Sequence, residues 1–348
     1  NTYSLYGEAT VNLADSFRVI GGGRLTHDRK SASVDQHVGS IANPYDGDPT
    51  AVAQMAAFVG ASPVTGTAKR KSTDFSPTVT AQWDMVPNGQ LYASFKRGFK
   101  SGGFDSGVAG PATFVDAFEF DDEKARSFEV GGKYRSEDGR FQITAAAFDN
   151  KFTDLQLTAI IPPYANIVIN AGAARSRGAE VDAVYSIADN IVLNAGVTYA
   201  DTKFLRFEGA PCYSGQTPEL GCVGGVQDVD GRALPLAPKW QAAGGIDFIQ
   251  PVGGGFQIEA GLSANYRSKM VTQTDYNPLG VQKGYVILDA RIALATEDDA
   301  WRVSLIGKNI TDKKYQVGSL GAPFMGADSI VVANALPRVV ILELAHNF

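Results

Sequence analysis

Two lysines near position 100 are the side chains best suited to bind a ligand. Lys96 and Lys100 lie four residues apart and precede the flexible run Ser101-Gly102-Gly103. Residues four apart on an extended strand share one face, so both ammonium groups point the same way. They could meet an anionic ligand, or they could pair with carboxylates on a neighbouring surface. The sequence leaves both interpretations open.

The only two cysteines of the chain, Cys212 and Cys222, lie in a single stretch that also contains glycine and proline. Two cysteines that bracket one loop indicate a disulfide in an oxidising compartment. The alternatives are two unrelated thiols, or a metal site that would need further ligands. No histidine lies nearby, so we predict the Cys212–Cys222 disulfide.

The other residues capable of chemistry are scattered. The three histidines of the chain are isolated from one another, so we predict no metal site. The segment Asp228–Gly231 resembles part of a calcium loop, but its spacing fails the full pattern and loop solvation explains it. No nucleophile–base pair, phosphate-binding loop or pair of acid–base carboxylates stands out. We therefore expect neither an enzyme nor a bound cofactor.

Composition narrows the class of protein further. At 348 residues the chain could form one large domain or two ordinary ones. A formal net charge of −6 argues against nucleic acid as a partner, because such binding requires a basic face. No window approaches the run of apolar residues that a membrane-spanning helix requires.

Apolar and polar residues alternate with a period of two along most of the chain, which predicts strands. Thirteen are predicted, over the approximate ranges 2–13, 17–27, 74–85, 90–101, 124–135, 140–160, 165–187, 190–205, 238–249, 255–268, 284–296, 300–311 and 337–348. Their connections alternate between short and long, and only the one after the sixth strand departs modestly from this rule. Long segments such as Asp28–Ser72 and Asp312–Leu336 are predicted loops. Short turns on one side and long loops on the other are typical of a membrane barrel rather than a soluble sandwich.

The two faces of the predicted strands also fit a membrane barrel. In the tenth strand Leu262 stands on an apolar face and Ser263 on a polar one, which we assign to lipid and to the lumen. Most strands have about the ten residues that a tilted strand needs to cross a bilayer. Aromatic residues near strand ends match the girdles expected at the two membrane interfaces: Trp83, Tyr134, Tyr199, Trp240, Tyr266 and Trp301. The fold class is all-β, a transmembrane antiparallel β-barrel.

The last strand has an apolar face that ends on an aromatic residue. We interpret Val340, Leu342, Leu344 and Phe348 as a C-terminal signal for the outer-membrane assembly machinery. With thirteen strands, the first and the last run in the same direction, whereas antiparallel barrels have an even number of strands. We therefore expect that these two strands do not pair with each other and that further strands lie between them.

Seven segments in order along almost the whole chain point to one family: YASFKRGFKSGGF (Tyr92–Phe104), FEVGGKYR (Phe128–Arg135), FDNKFTDLQL (Phe148–Leu157), NAGAARSRGAEVD (Asn170–Asp182), LPLAPKW (Leu234–Trp240), KNITDKKY (Lys308–Tyr315) and the terminal Phe348. Together they resemble the C-terminal half of the barrel of TonB-dependent outer-membrane receptors. The resemblance implies that residues 1–348 are the last thirteen strands of a twenty-two-stranded barrel. Nine strands and an N-terminal plug would then lie outside this sequence, in the same or a separate chain.

The resemblance also implies a function. A receptor of this kind sits in the outer membrane of a Gram-negative bacterium, surrounded by lipid, and binds a scarce ligand outside. It imports that ligand with energy from the TonB complex, which acts through the plug. Ferric siderophore is the default ligand, and vitamin B12 or a glycan is the alternative. A passive porin or structural barrel is the competing class of protein.

Overall fold

The computed structural model describes residues 1–36, 64–105, 118–161, 165–322 and 329–347. A 13-stranded antiparallel sheet dominates them, and each strand pairs with the next one along the chain. Its strands are β1 (Thr2–Ala14), β2 (Phe17–Gln36), β3 (Val64–Val86), β4 (Gly89–Lys100), β5 (Glu123–Arg135), β6 (Phe141–Ile161), β7 (Ala165–Ala188), β8 (Ile191–Arg206), β9 (Trp240–Gly253), β10 (Phe256–Arg267), β11 (Tyr285–Thr296), β12 (Trp301–Lys308) and β13 (Val339–His346). Among the described residues, no helix has the length and apolar character needed to cross a membrane.

All thirteen predicted strands are present, and the largest error concerns β2 and β3. These two strands remain paired far beyond their predicted ends, with Lys30 opposite Arg70 and Ser33 opposite Thr67. The prediction that Asp28–Ser72 forms a loop is therefore wrong at both of its ends. Polar residues occupy both faces of this outer ribbon, so the apolar–polar contrast that reveals a strand in sequence is missing there. The NPYDGDP run of this segment lies outside the described residues.

The connections at the two ends of the strands differ in length. At one end of the strands all six connections are short, for example Gly254–Gly255, whose φ values of 65° and 77° are readily adopted only by glycine. We call the strand ends joined by these connections the turn end of the sheet, and the opposite strand ends the loop end. The connection after β6 departs from the alternation of short and long connections because β6 and β7 stay paired out to Ile161 and Ala165. This pairing leaves fewer residues for the connection than at the other positions of the loop end.

Two-stranded ribbons of short strands organise the loop end. They occur in segments for which the sequence predicted only loops, including Asp312–Leu336. The pairs are Gly103–Phe104 with Glu119–Phe120, Ala210–Pro211 with Val226–Gln227, Met270–Val271 with Val281–Gln282, and Gln316–Gly321 with Ile330–Asn334. These ribbons hold the loops over the end of the large sheet.

The two faces of the sheet differ as predicted. Side chains such as Val197 and Leu262 lie on one face and are 45% and 47% exposed. We call this the apolar face. On the opposite, polar face, Glu259 is buried between Arg291 and Arg302, at oxygen–nitrogen distances of 3.3 and 2.9 Å. Charges of this kind require a hydrated or protein-filled lumen, whereas the exposed apolar side chains match lipid.

The sheet is open within the described residues. There β1 pairs only with β2, and β13 pairs only with β12. This confirms the expectation, drawn from the odd number of strands, that the first and last strands do not form a ladder with each other. Each of these two strands therefore presents one edge of unpaired backbone groups, which is costly in lipid.

Candidate functional site

A cavity of about 710 Å³ lies on the polar face of β7 to β11, near the loop end. Two successive cross-strand rows form its wall. The first row contains Thr198, Gln241, Arg267 and Tyr285, and the second contains Asp182, Gly196, Ala243, Asn265 and Ile287. Gly196 and Ala243 of the second row have little or no side chain, and the cavity occupies the space between the larger side chains around them.

Gly196 leaves room in the wall for the side chain of Asp182. A Cβ atom added there would lie 2.5 Å from Oδ1 of Asp182, closer than real contacts allow. The missing side chain therefore lets the carboxylate of Asp182 lie over β8 and face the cavity. Asp182 supplies the acidic side of the cavity and Arg267 the basic side.

The cavity also has an aromatic side. Tyr285 starts β11, and its ring stacks on Tyr315 at 4.3 Å between centroids, with an interplanar angle of 22°. Met270 and Val317, which belong to two of the short ribbons, add apolar surface above this pair. Arg267 forms no ion pair with any described residue, and its guanidinium is hydrogen-bonded to the phenol of Tyr285, so cation and phenol stand together at the cavity. Cation, phenol groups and stacked rings together suit a ligand that is both anionic and aromatic.

A small apolar core closes over the loop end beside the cavity. We call it the loop cap, and its buried members are Ala171, Ala174, Phe204, Phe207, Ala210, Val229 and Tyr276. The rings of Phe204 and Phe207 lie 5.1 Å apart, and the Tyr276 hydroxyl donates to the carbonyl of Ala233 at 2.6 Å. Burial raises the pKa of Tyr276, so the phenol keeps the proton that it donates.

The predicted disulfide is confirmed and lies in the loop that contributes most to the cap. Cys212 and Cys222 are bonded, with their Cα atoms 5.8 Å apart. Next to them, the amide of Gln227 donates to the carbonyl of Pro211 at 2.9 Å and to that of Asp275 at 2.6 Å. The cross-linked loop between β8 and β9 is thereby tied to the loop between β10 and β11.

A second, polar arrangement holds the loop between β4 and β5 against β3. Arg70 donates to Glu119, Asp121 and Asp122 at 2.8, 3.0 and 3.3 Å. Asp122 also accepts from the backbone N–H of Gly102 at 2.6 Å and from the Ser72 hydroxyl at 2.7 Å. We call Arg70 and these partners the polar clamp. Partial burial alone would raise the pKa of Asp122, but these hydrogen bonds and the charge of Arg70 outweigh it and lower the pKa.

The two lysines predicted to bind a ligand lie elsewhere. Lys96 and Lys100 are exposed on the polar face of β4, opposite Ser127 and Glu123 of β5. Neither ammonium group forms an ion pair with a described residue. Strands β5 and β6 separate β4 from β7, the first strand that lines the cavity, so the structure does not bring the lysines to it.

The sequence analysis missed the residues that line the cavity. Arg267 shows the same sequence feature as the two lysines, because it is a cation on the predicted luminal face at the end of a strand, just before a long loop. Tyr315 carries no such signal, since it reaches Tyr285 only through the fold of the loop after β12. Of the predicted assembly signal, Val340, Leu342 and Leu344 lie exposed on the apolar face, and Phe348 lies outside the described residues.

Comparison with known proteins identifies the family. The model of the TonB dependent receptor-like beta-barrel family matches residues 1–310. The ferric-pyoverdine M114 receptor PbuA of Pseudomonas sp. (strain M114) is 23% identical over 317 residues, which are 90% of this chain and 33% of that receptor. The ferrioxamine B receptor of Salmonella typhimurium is 25% identical in an alignment of 254 residues, which covers 66% of this chain and 32% of the receptor.

A solved structure shows the same fold. The ferric yersiniabactin uptake receptor FyuA from Yersinia pestis superposes with a TM-score of 0.72 and 19% identity, over 97% of this chain and 44% of the FyuA chain. The present chain thus spans about a third of the length of the two sequence relatives. Because the family model covers most of its residues, the chain belongs to the TonB-dependent receptor β-barrel family.

Proposed function

We propose that this chain forms the wall and outer loops of an energised uptake receptor in the outer membrane of a Gram-negative bacterium. The observation that carries the proposal is the cavity on the polar face, roofed by loops and lined by Arg267 and the stacked Tyr285–Tyr315 pair. A ligand arriving from outside would meet this cavity before the membrane-spanning part of the lumen. The proposal includes no catalytic step.

We propose a ferric siderophore as the ligand. The cavity volume of about 710 Å³ falls within the range of small-molecule sites. A ferric complex with catecholate or phenolate groups offers anionic oxygens to Arg267 and flat rings to the tyrosine pair. The relatives named for ferric-pyoverdine and ferrioxamine B support iron chelates over the alternatives, vitamin B12 and a glycan. Lys96 and Lys100 remain proposed as a separate cationic contact for an anionic group of the ligand, on β4 of the same polar face and away from the cavity.

The proposed receptor needs partners beyond these 348 residues. The open edges of β1 and β13 each leave backbone groups unpaired, at several kcal/mol apiece in hydrocarbon. Nine further strands, in the same or a separate chain, would satisfy both edges and restore an even number of strands. A plug inside that barrel would face the charged polar face and couple ligand release to the TonB complex. Val340, Leu342, Leu344 and Phe348 would present the assembly signal to the assembly machinery.

The test uses the complete receptor gene expressed in a strain that lacks its own siderophore receptors. Binding of ⁵⁵Fe-labelled siderophores is measured on energy-poisoned cells, and uptake is measured on energised cells with and without TonB. We expect Arg267→Ala with Tyr315→Ala to weaken binding at least tenfold, because the charge and the stacked ring are both lost. Arg135→Ala, on the polar face at the turn end, is the control and should bind normally.

Two outcomes would overturn the proposal. Uptake that continues at the same rate without TonB would favour a passive pore. Competition by vitamin B12 or a glycan, but by no ferric siderophore, would reassign the ligand.

A further inference from the structure

The carboxylate of Asp182, on the acidic side of the cavity, forms no ion pair with any described residue. Its cross-strand neighbours carry no charge, because Asp182 lies opposite Thr144 on β6 and Gly196 on β8. The diagonal positions on these two strands are neutral as well: Gln142, Ala146, Asn194 and Thr198. Along β7 itself, the next residue on the same face toward the loop end is Glu180, a second carboxylate. The neighbouring positions of the sheet thus leave the charge of Asp182 without a counter-charge.

The backbone of Gly196 lets this carboxylate reach into the cavity. Oδ1 of Asp182 occupies the place where the side chain of any other residue at position 196 would begin. The side chain of Asp182 therefore extends across β8, along the row that continues to Ala243 and Asn265. All of these residues line the cavity of about 710 Å³. The carboxylate is consequently presented to a ligand in the cavity.

The positive charge of the cavity lies on its other side. Arg267 stands on β10, three strands away from Asp182 on β7 and one row nearer the loop end. Neighbouring strands are about 4.8 Å apart, so about 14 Å separates β7 from β10. The guanidinium of Arg267 is bonded to Tyr285, which stacks on Tyr315, so the cation and the rings occupy this side together. The cavity thus has an acidic side and a basic, aromatic side that do not neutralise each other.

We propose that Asp182 selects iron chelates that carry a protonated amine remote from their anionic aromatic groups. The proposal rests on the function proposed above, since it assigns a class of chelate to the same cavity. The ammonium group would donate a charge-assisted hydrogen bond to Asp182, while the anionic oxygens and rings of the chelate meet Arg267 and the tyrosine pair. The arm that joins the two parts of the chelate would span most of the distance between β7 and β10.

The same charges define the chelates that the cavity disfavours. A chelate with anionic groups at both ends would place one of them beside Asp182 and Glu180, where like charges repel. A chelate with a neutral arm would make contact there without an ion pair. Selection by Asp182 therefore ranks chelates that differ only at the end of the arm: the amine binds most tightly, the neutral group less tightly and the carboxylate least.

The test uses the complete receptor on energy-poisoned cells and three ⁵⁵Fe-loaded tris-catecholate chelates. The first carries a primary amine on a flexible arm, the second carries the N-acetylated amine, and the third carries the N-succinylated amine, which ends in a carboxylate. We expect Asp182→Asn to weaken binding of the amine chelate about tenfold, the size of one charge-assisted hydrogen bond. Binding of the N-acetyl chelate should stay the same. The matched control is Asp247→Asn, which removes a carboxylate from the same face of β9 at a position that does not line this cavity.

A gain of binding separates selection from damage to the fold. Asp182→Asn should bind the N-succinyl chelate about fivefold more tightly than the wild type does, because the repulsion is removed. Equal binding of the three chelates by the wild type, or the same ranking in the Asp182 variant, would overturn the inference and leave a siderophore as the proposed ligand. A wild type that binds none of the three would also overturn it. Uptake of natural ferric siderophores by the same cells then shows whether the proposed function fails as well.

Discussion

The 13-stranded sheet, called the wall from here on, and the loop cap direct their apolar side chains in opposite directions. In the wall, Val197 and Leu262 point outward and are 45% and 47% exposed. In the loop cap, Phe204 and Val229 point inward and are 1% and 0% exposed. The wall is held by its backbone ladder and by surrounding lipid, whereas the cap is held by a small dry core and one disulfide. Different changes should therefore damage the two regions: an added charge in the wall, and lost volume in the cap.

The largest expected effect comes from removing volume from the cap. Phe204→Ala should destabilise the cap by about 3–5 kcal/mol, because a buried phenyl ring is replaced by a cavity. Hydrogen exchange followed by mass spectrometry on the complete receptor should show faster exchange in residues 207–236. Val197→Ala, on the apolar face of the same strand, is the control and should leave the cap protected. Faster exchange along the wall strands in the Phe204 variant would show that cap and wall are one cooperative unit.

The next effect comes from a charge on the outside of the wall. Leu262→Arg should cost on the order of 2–4 kcal/mol, because the guanidinium would face hydrocarbon near the middle of β10. Ser263→Arg should cost much less, since the neighbouring side chain points into the polar lumen near Asp247 and Asp289. Urea titration of folding into lipid vesicles measures both. Equal losses of stability would mean that the two faces are assigned the wrong way round.

The wall could be predicted from sequence because the membrane imposes one rule on every strand. Leu262 and Ser263 must alternate at a period of two wherever one face meets lipid and the other meets the lumen. That rule predicted the strands and their two faces, and the odd number of strands predicted the open sheet. It failed for residues 28–36 of β2 and 64–72 of β3, because polar residues occupy both faces of the paired strands there.

The candidate site could be predicted only in part, because it depends on contacts distant in sequence. The Cys212–Cys222 bond was predictable since both residues lie in one loop. The stacking of Tyr285 on Tyr315 was not, because the fold of the last long loop determines it. Lys96 and Lys100 satisfied the same sequence criteria as Arg267, but they lie on a strand outside the cavity. Sequence patterns identify the face of a residue and not its neighbours across the barrel.

Removing the disulfide should weaken the cap by a moderate amount. Cys212→Ser with Cys222→Ser removes a cross-link with a sequence separation of 10 residues. In the chain-entropy model such a link contributes about 2–3 kcal/mol, all of it to the loop. Protease digestion should cut residues 212–222 faster in the variant, while the midpoint of wall unfolding in urea stays the same. A shifted midpoint would contradict the separation of cap and wall.

The smallest effect concerns pH and the polar clamp, which holds a loop through charge where the cap uses apolar packing. The hydrogen bonds to Asp122 from Gly102 and Ser72, with the charge of Arg70, lower the pKa of Asp122 despite its partial burial. A lowered pKa stabilises the closed loop above the ordinary carboxyl pKa, and this stabilisation is lost as the pH falls through the lowered value. Hydrogen exchange of residues 101–105 should therefore show more frequent opening in acid. Asp122→Asn should remove most of this dependence and leave the part that Asp28 contributes by accepting from the Ser101 hydroxyl at 2.8 Å. Asp121→Asn, at an exposed partner of Arg70, should preserve most of the dependence. An unchanged acid response in the Asp122 variant would assign the response to another group.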